Sequence, residues 1–432
     1  MLKRKFMNRL IQWKMRHRDE CLLIKGARQI GKTFLVREFG REQYQSVIEI
    51  NFEEHPSWKE IFQGDLDAES IKRRISLFIP GVRFIPGHTL LFLDEIQSCP
   101  EARTALKFLA MDHSMDTVAT GSLLGINYRE ISSFPVGYER QETMYSLDFE
   151  EFLWASGFPE SVMSDMRPFF ENKEKVPPAI NGQMMKLLRE YMVVGGMPSV
   201  CNCFIDTDNY GEVDREQRKI LATYLNDMEK YASVPEKPKV RDCYLSIPRQ
   251  LARENKKFKY SLVEKGGSAR KFGNSLSWLR DAGLVDFCYN LSTPSFPLAA
   301  YVKEDQFKIY GSDIGLLTAM YGFDMKKAVV DDTLSGPMKG GIYENLVSDM
   351  LTKREIPLVY YSVPDNTQEI EFLISRDAQI IPVEVKSKNG SSVSLNHLLE
   401  RKDIPFGYKL ISGNVGVAGK KITLPLYMAM FI

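Results

Sequence analysis

Gly26-Ala27-Arg28-Gln29-Ile30-Gly31-Lys32-Thr33 fits the pattern G-x-x-x-x-G-K-[ST] and follows directly on the apolar run Cys21-Leu22-Leu23-Ile24. A strand before this pattern and a helix after it are the context of a phosphate-binding loop. Phe34-Leu35-Val36-Arg37-Glu38-Phe39 supplies the helix. The glycines permit a tight turn that points several backbone N–H groups into one concavity, and the helix N-terminus adds positive potential suited to phosphate. Lys32 is expected to reach the β- and γ-phosphates and Thr33 to hold Mg2+, with Gly26 through Phe34 lining the nucleotide.

Thr89-Leu90-Leu91-Phe92-Leu93-Asp94-Glu95 is a short apolar run closed by two acids, the pattern of a parallel strand buried on both faces. Asp94 at its carboxyl end is the candidate for binding Mg2+, mostly through water, and Glu95 the candidate general base for an attacking water. An Asp-Glu pair points to the P-loop division whose catalytic carboxylate follows the Mg2+ aspartate. An extra strand lies between the two motif strands in that division, and Gln45-Ser46-Val47-Ile48-Glu49-Ile50-Asn51-Phe52 is the expected source of it. From residue 20 to about 155, strand-like and helix-like runs alternate, which predicts a parallel sheet covered on both faces. The expected strands are 21–25, 45–52, 89–94, 116–120 and 142–147, with a helix from Glu101 to Asp112. The carboxyl ends of neighbouring strands form the ligand crevice. Thr120 or Ser122 is therefore placed to sense the γ-phosphate, although Thr120-Gly121-Ser122 also fits a strand-capping turn.

A chain of 432 residues predicts two to three domains. The formal net charge of +1 gives no global reason to expect nucleic acid. The basic residues are unevenly placed, however: Lys3, Arg4, Lys5, Arg9, Lys14, Arg16 and Arg18 form one acid-free cluster, and the stretch from Lys237 to Lys271 is also rich in Lys and Arg. Such faces meet either phosphate backbones or only solvent. No apolar stretch reaches membrane-spanning length and the basic N-terminus lacks a signal-peptide core, so a cytoplasmic protein with no membrane partner is expected. The cysteines are scattered and read as reduced structural thiols.

Pro159 to Pro178 holds four prolines and several charges, which reads as an irregular connection. Residues 183–300 look mostly helical, broken at Gly195-Gly196-Met197-Pro198 and at Ser233 to Pro238. Helical spacing over Ser268 to Leu284 precedes a strand–turn–strand pattern over Asp286 to Val302, which suggests a winged-helix module. Such modules bind DNA or serve as protein-contact spacers; Lys256-Lys257-Phe258-Lys259 and Arg270-Lys271 motivate the DNA reading. In the last hundred residues, Glu369 to Ile374 and Ile380 to Lys386 read as a hairpin. Side chains two apart on a strand point the same way, which puts Glu371, Glu384 and Lys386 on shared faces. With Glu344 on a preceding helix, they match the metal-and-base set of the restriction-endonuclease fold, in which acids hold Mg2+ and the lysine stabilises charge on the phosphate. An exposed charged hairpin has the same spacing.

The chain resembles bacterial and archaeal P-loop ATPases in which an AAA-type N-terminal domain is joined to a C-terminal DUF4143 domain. The matching segments are Leu22 to Thr33, Phe92-Leu93-Asp94-Glu95-Ile96-Gln97, Thr120-Gly121-Ser122 and Phe149-Glu150-Glu151-Phe152-Leu153. Further along they are Gly195-Gly196-Met197-Pro198, Lys308 to Leu316, Gly341-Ile342-Tyr343-Glu344-Asn345 and Pro382-Val383-Glu384-Val385-Lys386-Ser387. The resemblance implies ATP and Mg2+ binding, hydrolysis and a nuclease-like C-terminus. In two places the chain departs from the family. Many members carry Gly-Arg where this chain reads Val136-Gly137-Tyr138-Glu139-Arg140, so Arg140 serves as a phosphate-sensing or finger arginine only if the loop shifts. The common Val-Asp-Phe is here Ile370-Glu371-Phe372, with a longer carboxylate. The expected architecture is an AAA-type ATPase domain at 1–155, a connection at 156–182, a helical and winged-helix region at 183–335 and a nuclease-like α/β domain at 336–432. Three functions fit it: an ATPase switch acting on nucleic acid or a protein partner, an ATP-gated nuclease, or a nucleotide-dependent scaffold. The motifs leave the oligomeric state open.

Overall fold

Apolar runs flanked by helices become a parallel sheet in the first part of the chain. The structure, a computed structural model, describes residues 2–16, 19–122, 137–363, 368–387 and 390–432; Arg18 and Val136 lie outside the described residues. It divides into two units, one of Arg4–Ser146 with Asp281–Gly283, the other of Met1–Lys3 with Leu147–Arg280 and Leu284–Ile432.

The first unit runs α1 (Phe6–Arg16), β1 (Cys21–Gly26), α2 (Lys32–Gln43), β2 (Ser46–Asn51), α3 (Ala68–Phe78), β3 (Thr89–Asp94), α4 (Pro100–Asp112), β4 (Asp116–Ser122) and β5 (Glu139–Thr143). The strand order is β2-β3-β4-β1-β5 and every pair is parallel. β3 is buried along its whole length, as a strand covered on both faces must be. Ile71 and Ile75 of α3, with Ala102, Leu106 and Leu109 of α4, pack on Ile48, Ile50, Leu91 and Leu93. Each such large side chain contributes about 1.5–3 kcal/mol by burial, so the strand ends that carry the motifs rest on a firm platform.

Two expectations are corrected here. The strand between β1 and β3 is β4, and segment 45–52 forms β2 at the sheet edge against β3. The sequence carries the physical reason. Ser46-Val47-Ile48-Glu49-Ile50-Asn51 alternates wet and dry side chains, which suits an edge, whereas Thr117-Val118-Ala119-Thr120 is small and buried on both faces. The final strand starts at Glu139, three residues before the expected 142. Its run Glu139-Arg140-Gln141-Glu142-Thr143 is polar, and backbone pairing with Cys21 to Lys25 of β1 makes it a strand.

The second unit begins with α5 (Phe149–Ala155), α6 (Ser161–Asn172), α7 (Pro178–Val194), α8 (Pro198–Thr207), α9 (Tyr210–Tyr231), α10 (Lys237–Leu251) and α11 (Ala269–Asp281). The segment read as an irregular connection is thus mainly helical: Pro168 sits inside α6, and Pro178 opens α7 at a position where a missing N–H costs nothing. Next come β6 (Val285–Leu291), β7 (Val302–Gly311), α12 (Ile314–Tyr321), α13 (Phe323–Val330), α14 (Gly336–Thr352), β8 (Val359–Ser362) and β9 (Glu369–Ile370). Last are β10 (Phe372–Arg376), β11 (Gln379–Val385), α15 (Val393–Leu399), β12 (Gly407–Ile411), β13 (Gly416–Ala418) and β14 (Lys421–Pro425). A β6–β7 hairpin follows α11, but its second strand begins at Val302, where the expected strand–turn–strand pattern ended, and β6 also pairs in parallel with β8, in a sheet ordered β7-β6-β8-β9. The hairpin is therefore the edge of a larger sheet, which joins the helical region to the C-terminal region across the expected boundary at 335/336. The remaining sheet is mixed, ordered β10-β11-β12-β14-β13.

The family-like glycines of this unit are packing devices. Gly195 has φ 76°, and a Cβ there would lie 2.3 Å from Asp313 Oδ1. Asp313 caps α12 through the Leu316 N–H at 3.0 Å and accepts the Gly196 N–H at 2.9 Å. Leu147 donates its N–H to the Gly196 carbonyl at 2.7 Å, and its own carbonyl accepts from Tyr191 Oη and Lys353 Nζ, each at 2.9 Å. Tyr191 and Lys353 also reach Asp349, which burial pushes up to about 6 despite the Lys353 ammonium. Nearby Asp286 has one carboxylate oxygen fully enclosed and is pushed up to about 7, chiefly by burial and next by the Asp349 charge.

Both carboxyls hold protons in the folded chain at pH values where an unfolded aspartate has lost them. Stability from this pair is therefore lost as pH rises from about 4 through 7. Asp286→Asn is expected to stabilise the chain by roughly 2–3 kcal/mol more at pH 8 than at pH 5. Urea unfolding at the two pH values checks this, and an equal loss at both would contradict it. All six cysteines are free, and among the described residues no helix is long and apolar enough to cross a membrane.

Candidate functional site

The phosphate loop joins β1 to α2. Gln29 and Gly31 adopt left-handed φ values of 65° and 90°, the second of which only glycine adopts cheaply. At Gly26 a Cβ would lie 2.4 Å from the Met144 carbonyl and 2.5 Å from Ile30 Cδ1, so no larger residue fits. The residue before α2, Gly31, has no side chain to cap the helix, and its first-turn amides suit an anion. Lys32 is buried, and its ammonium folds back on the Gly26 carbonyl at 3.0 Å and the Ala27 carbonyl at 2.8 Å. Burial brings its pKa down to about 8, with Arg28 adding to the effect, while Glu95 and Asp94 oppose it. An ammonium held this way gains most by meeting a second, stronger anion.

The end of β3 completes the site. Thr33 Oγ1 donates to Asp94 Oδ2 at 2.9 Å. Neighbouring ligands of an octahedral Mg2+ stand about 3 Å apart, so this oxygen pair fits the ion. Thr120 donates to the other Asp94 oxygen, and Asn51 Nδ2 donates to Oδ2 at 3.0 Å. Glu95 sits at φ 55°, a strained setting for a non-glycine residue that costs about 1–3 kcal/mol. Its carboxyl is pushed up from the ordinary range, first by burial and then by the adjacent Asp94, while a hydrogen bond from Gln97 works against the rise.

The other expected residues fall in several places. Ala27 to Ile30 supply loop backbone; Arg28 also pairs with Glu53 at 3.5 Å. Phe34 is 55% exposed on the first turn of α2. Ser122 pairs in register with Gly26, and its buried hydroxyl has no hydrogen-bond partner among the described residues. Thr120 is committed to Asp94, which leaves Ser122 as the better placed of the two candidate γ-phosphate sensors. Arg140 is corrected. It lies opposite Leu22, four residues before Gly26, and its guanidinium is bound to Glu142 at 2.7 Å. At about 3.3 Å per residue, it stands well back from the carboxyl edge of the sheet. Asn51 went unseen in the sequence: only its register opposite Asp94 gives it a role.

Some residues of the basic clusters are engaged within the chain. Arg4 bonds the Ile30 and Tyr145 carbonyls, Arg9 meets Glu142 at 3.1 Å, and Lys14 reaches the Gln43 carbonyl. In the second cluster Lys256 is buried against Glu344 at 2.9 Å and offers no face to DNA.

In the second unit, Glu344, Glu371 and Lys386 line one cavity of about 540 Å3 together with Glu254, Lys256 and Glu369. In the hairpin Phe372 pairs with Val383, with Glu384 buried nearby; the expected first strand is interrupted at Glu371, and Glu369–Ile370 pairs instead with β8. The metal-and-base reading is corrected in one respect: lysines interleave with the acids. Lys256 and Lys308 bracket the two oxygens of Glu344 at 2.9 and 3.1 Å and hold its carboxyl down to about 2, against its burial. Lys386 sits 2.8 Å from Glu371 and 3.8 Å from Glu384. Among the described residues no three or more acids, histidines or cysteines converge as a metal site.

Loop, parallel sheet and Asp94 define a P-loop nucleotide-binding protein of the AAA type, and the AAA domain family matches residues 18–153. Two families of unknown function match the rest, DUF8612 over residues 185–327 and DUF4143 over residues 339–427. The chain thus joins an AAA-type P-loop domain to a C-terminal DUF4143 domain. Among solved structures it is similar to the Walker-type ATPase PABY2304 of Pyrococcus abyssi, at 14% identity over 74% of this chain and 96% of that one, with a TM-score of 0.41. It is also similar to AMPPCP-bound DnaA from Aquifex aeolicus, at 14% identity over 63% and 85% of the two chains, with a TM-score of 0.28. No curated protein matches it.

Proposed function

We propose that the chain hydrolyses ATP with Mg2+ and uses its nucleotide state as a switch on a nucleic acid or a protein partner. The observation that carries the hydrolysis is the meeting of the Thr33 hydroxyl and the Asp94 carboxylate at 2.9 Å, directly before a strained, proton-accepting Glu95. Lys32 leaves the loop carbonyls for the β- and γ-phosphates, and the amides that open α2 take the remaining phosphate oxygens. Thr33 and Asp94 would hold Mg2+, which when bound neutralises phosphate charge. Glu95 accepts a proton from the attacking water, and Ser122 faces the γ-phosphate. Isothermal titration with ATP in the presence and absence of Mg2+ tests the site: Thr33→Val is expected to remove the Mg2+-dependent part of the affinity. Equal affinity with and without the metal in the unsubstituted chain would contradict it.

For the second unit the interleaved lysines favour the scaffold reading over the ATP-gated nuclease. An acid already neutralised by two ammonium groups, as Glu344 is, attracts a divalent cation weakly. Incubation with Mg2+ or Mn2+ and single- or double-stranded DNA is expected to give no cleavage. Cleavage that disappears in Lys386→Ala would restore the nuclease reading.

A further inference from the structure

The phosphate loop is held from outside its own motif. Arg4, ahead of α1, is 8% exposed; its Nη1–H donates to the Ile30 carbonyl at 2.9 Å and its Nη2–H to the Tyr145 carbonyl at 2.6 Å. In a planar trans peptide the carbonyl and the following N–H point in opposite directions. The bond that draws the Ile30 carbonyl toward Arg4 therefore turns the Gly31 N–H away from the buried guanidinium, to the other side of the loop. Left-handed Gln29 and Gly31 flank that peptide closely, and glycine leaves its own backbone free, so the plane needs an outside hold.

The second bond closes a frame. The Met144 N–H donates to the Lys25 carbonyl at 2.7 Å, and the Met144 carbonyl lies 2.4 Å from where a Cβ on Gly26 would be. Tyr145 is the next residue. One guanidinium thus ties the second half of the loop to the segment that already braces the first half. Both bonds are charge-assisted and come from one rigid fork, a geometry that a lysine ammonium does not reproduce.

We propose that Arg4 is a positioning residue of the phosphate site, holding the Ile30–Gly31 peptide so that the Gly31 N–H faces bound nucleotide. This rests on the MgATP reading above. The test measures the Kd for MgADP by titration calorimetry, and the rise in melting temperature at a fixed MgADP concentration, in the unsubstituted chain, Arg4→Ala, Arg4→Lys and Arg9→Ala. Arg9 serves as control because it shares the N-terminal region and is half exposed beside Glu142.

Arg4→Ala is expected to weaken MgADP about tenfold, Arg4→Lys by less, and Arg9→Ala not at all. The rise in melting temperature should shrink in step, because that rise follows ligand concentration over Kd, whereas a purely structural role would lower both melting temperatures and leave the rise unchanged. If Arg4→Ala does not fold, Arg4→Lys decides. MgADP binding by the unsubstituted chain with an unchanged Kd in the Arg4 variants overturns this inference alone. No binding by the unsubstituted chain overturns the nucleotide reading, and this inference with it.

Discussion

Lys32→Ala is expected to abolish tight MgATP binding, raising Kd by about a hundredfold or more, because it removes the charge-assisted contact to the phosphates at the centre of the loop. Misfolding does not account for such a loss. The ammonium is buried at a cost, seen in a pKa brought down to about 8, so its removal relieves a burden on the nucleotide-free chain. Two carbonyls, of Gly26 and Ala27, lose a donor in exchange, which keeps the net change in stability small. Titration calorimetry reads the affinity and a melting curve reads the fold. A folded Lys32→Ala chain that binds MgATP as tightly as the unsubstituted one would contradict the loop's role.

Glu95→Gln separates binding from chemistry. The amide keeps the length of the side chain and its contact with Gln97, and it removes the group that takes a proton from water. General-base catalysis typically supplies 10²- to 10⁴-fold, so turnover is expected to fall by about that much while the MgATP affinity stays within about twofold. The acid limb of the kcat/KM profile in the unsubstituted chain, which reports the nucleotide-free protein, should then lie above the ordinary carboxylate range, because burial and Asp94 raise the Glu95 pKa. Turnover in Glu95→Gln equal to that of the unsubstituted chain would remove Glu95 from the mechanism.

The nucleotide site was legible because each of its parts is local in sequence. A strand, a glycine turn and a helix start are consecutive, and an apolar run closed by Asp94-Glu95 carries its own signal of a buried strand end. What escaped the reading is what depends on pairing between distant segments. Which strand separates β1 from β3 is a matter of sheet order, and the edge alternation of Ser46 to Asn51 was the signal that could have decided it. Asn51 and Arg4 act on the site only through register and tertiary contact, so one looked like a strand end and the other like part of a basic surface. Arg140 was misplaced because β5 is polar throughout, and only its pairing with β1 shows how far back the arginine lies.

In the second unit Glu344, Glu371 and Lys386, singled out with Glu384 in the sequence, line one cavity, which Glu384 does not. The sequence did not reveal that Lys256 and Lys308, from a loop and a strand more than thirty residues away from Glu344, would neutralise the acids there. A short list of acids and a lysine at the right spacing defines a cavity's walls, and the charges arriving from elsewhere in the chain decide what the cavity binds.

Steady-state phosphate release from MgATP, with and without single- and double-stranded DNA and with Lys32→Ala as the blank, tests the central claim most directly. Release above the blank that requires Mg2+ is the expected result; stimulation by DNA would identify nucleic acid as the partner of the switch, and indifference to DNA would turn the search to proteins. Release equal to the blank under every one of these conditions would contradict hydrolysis at this site.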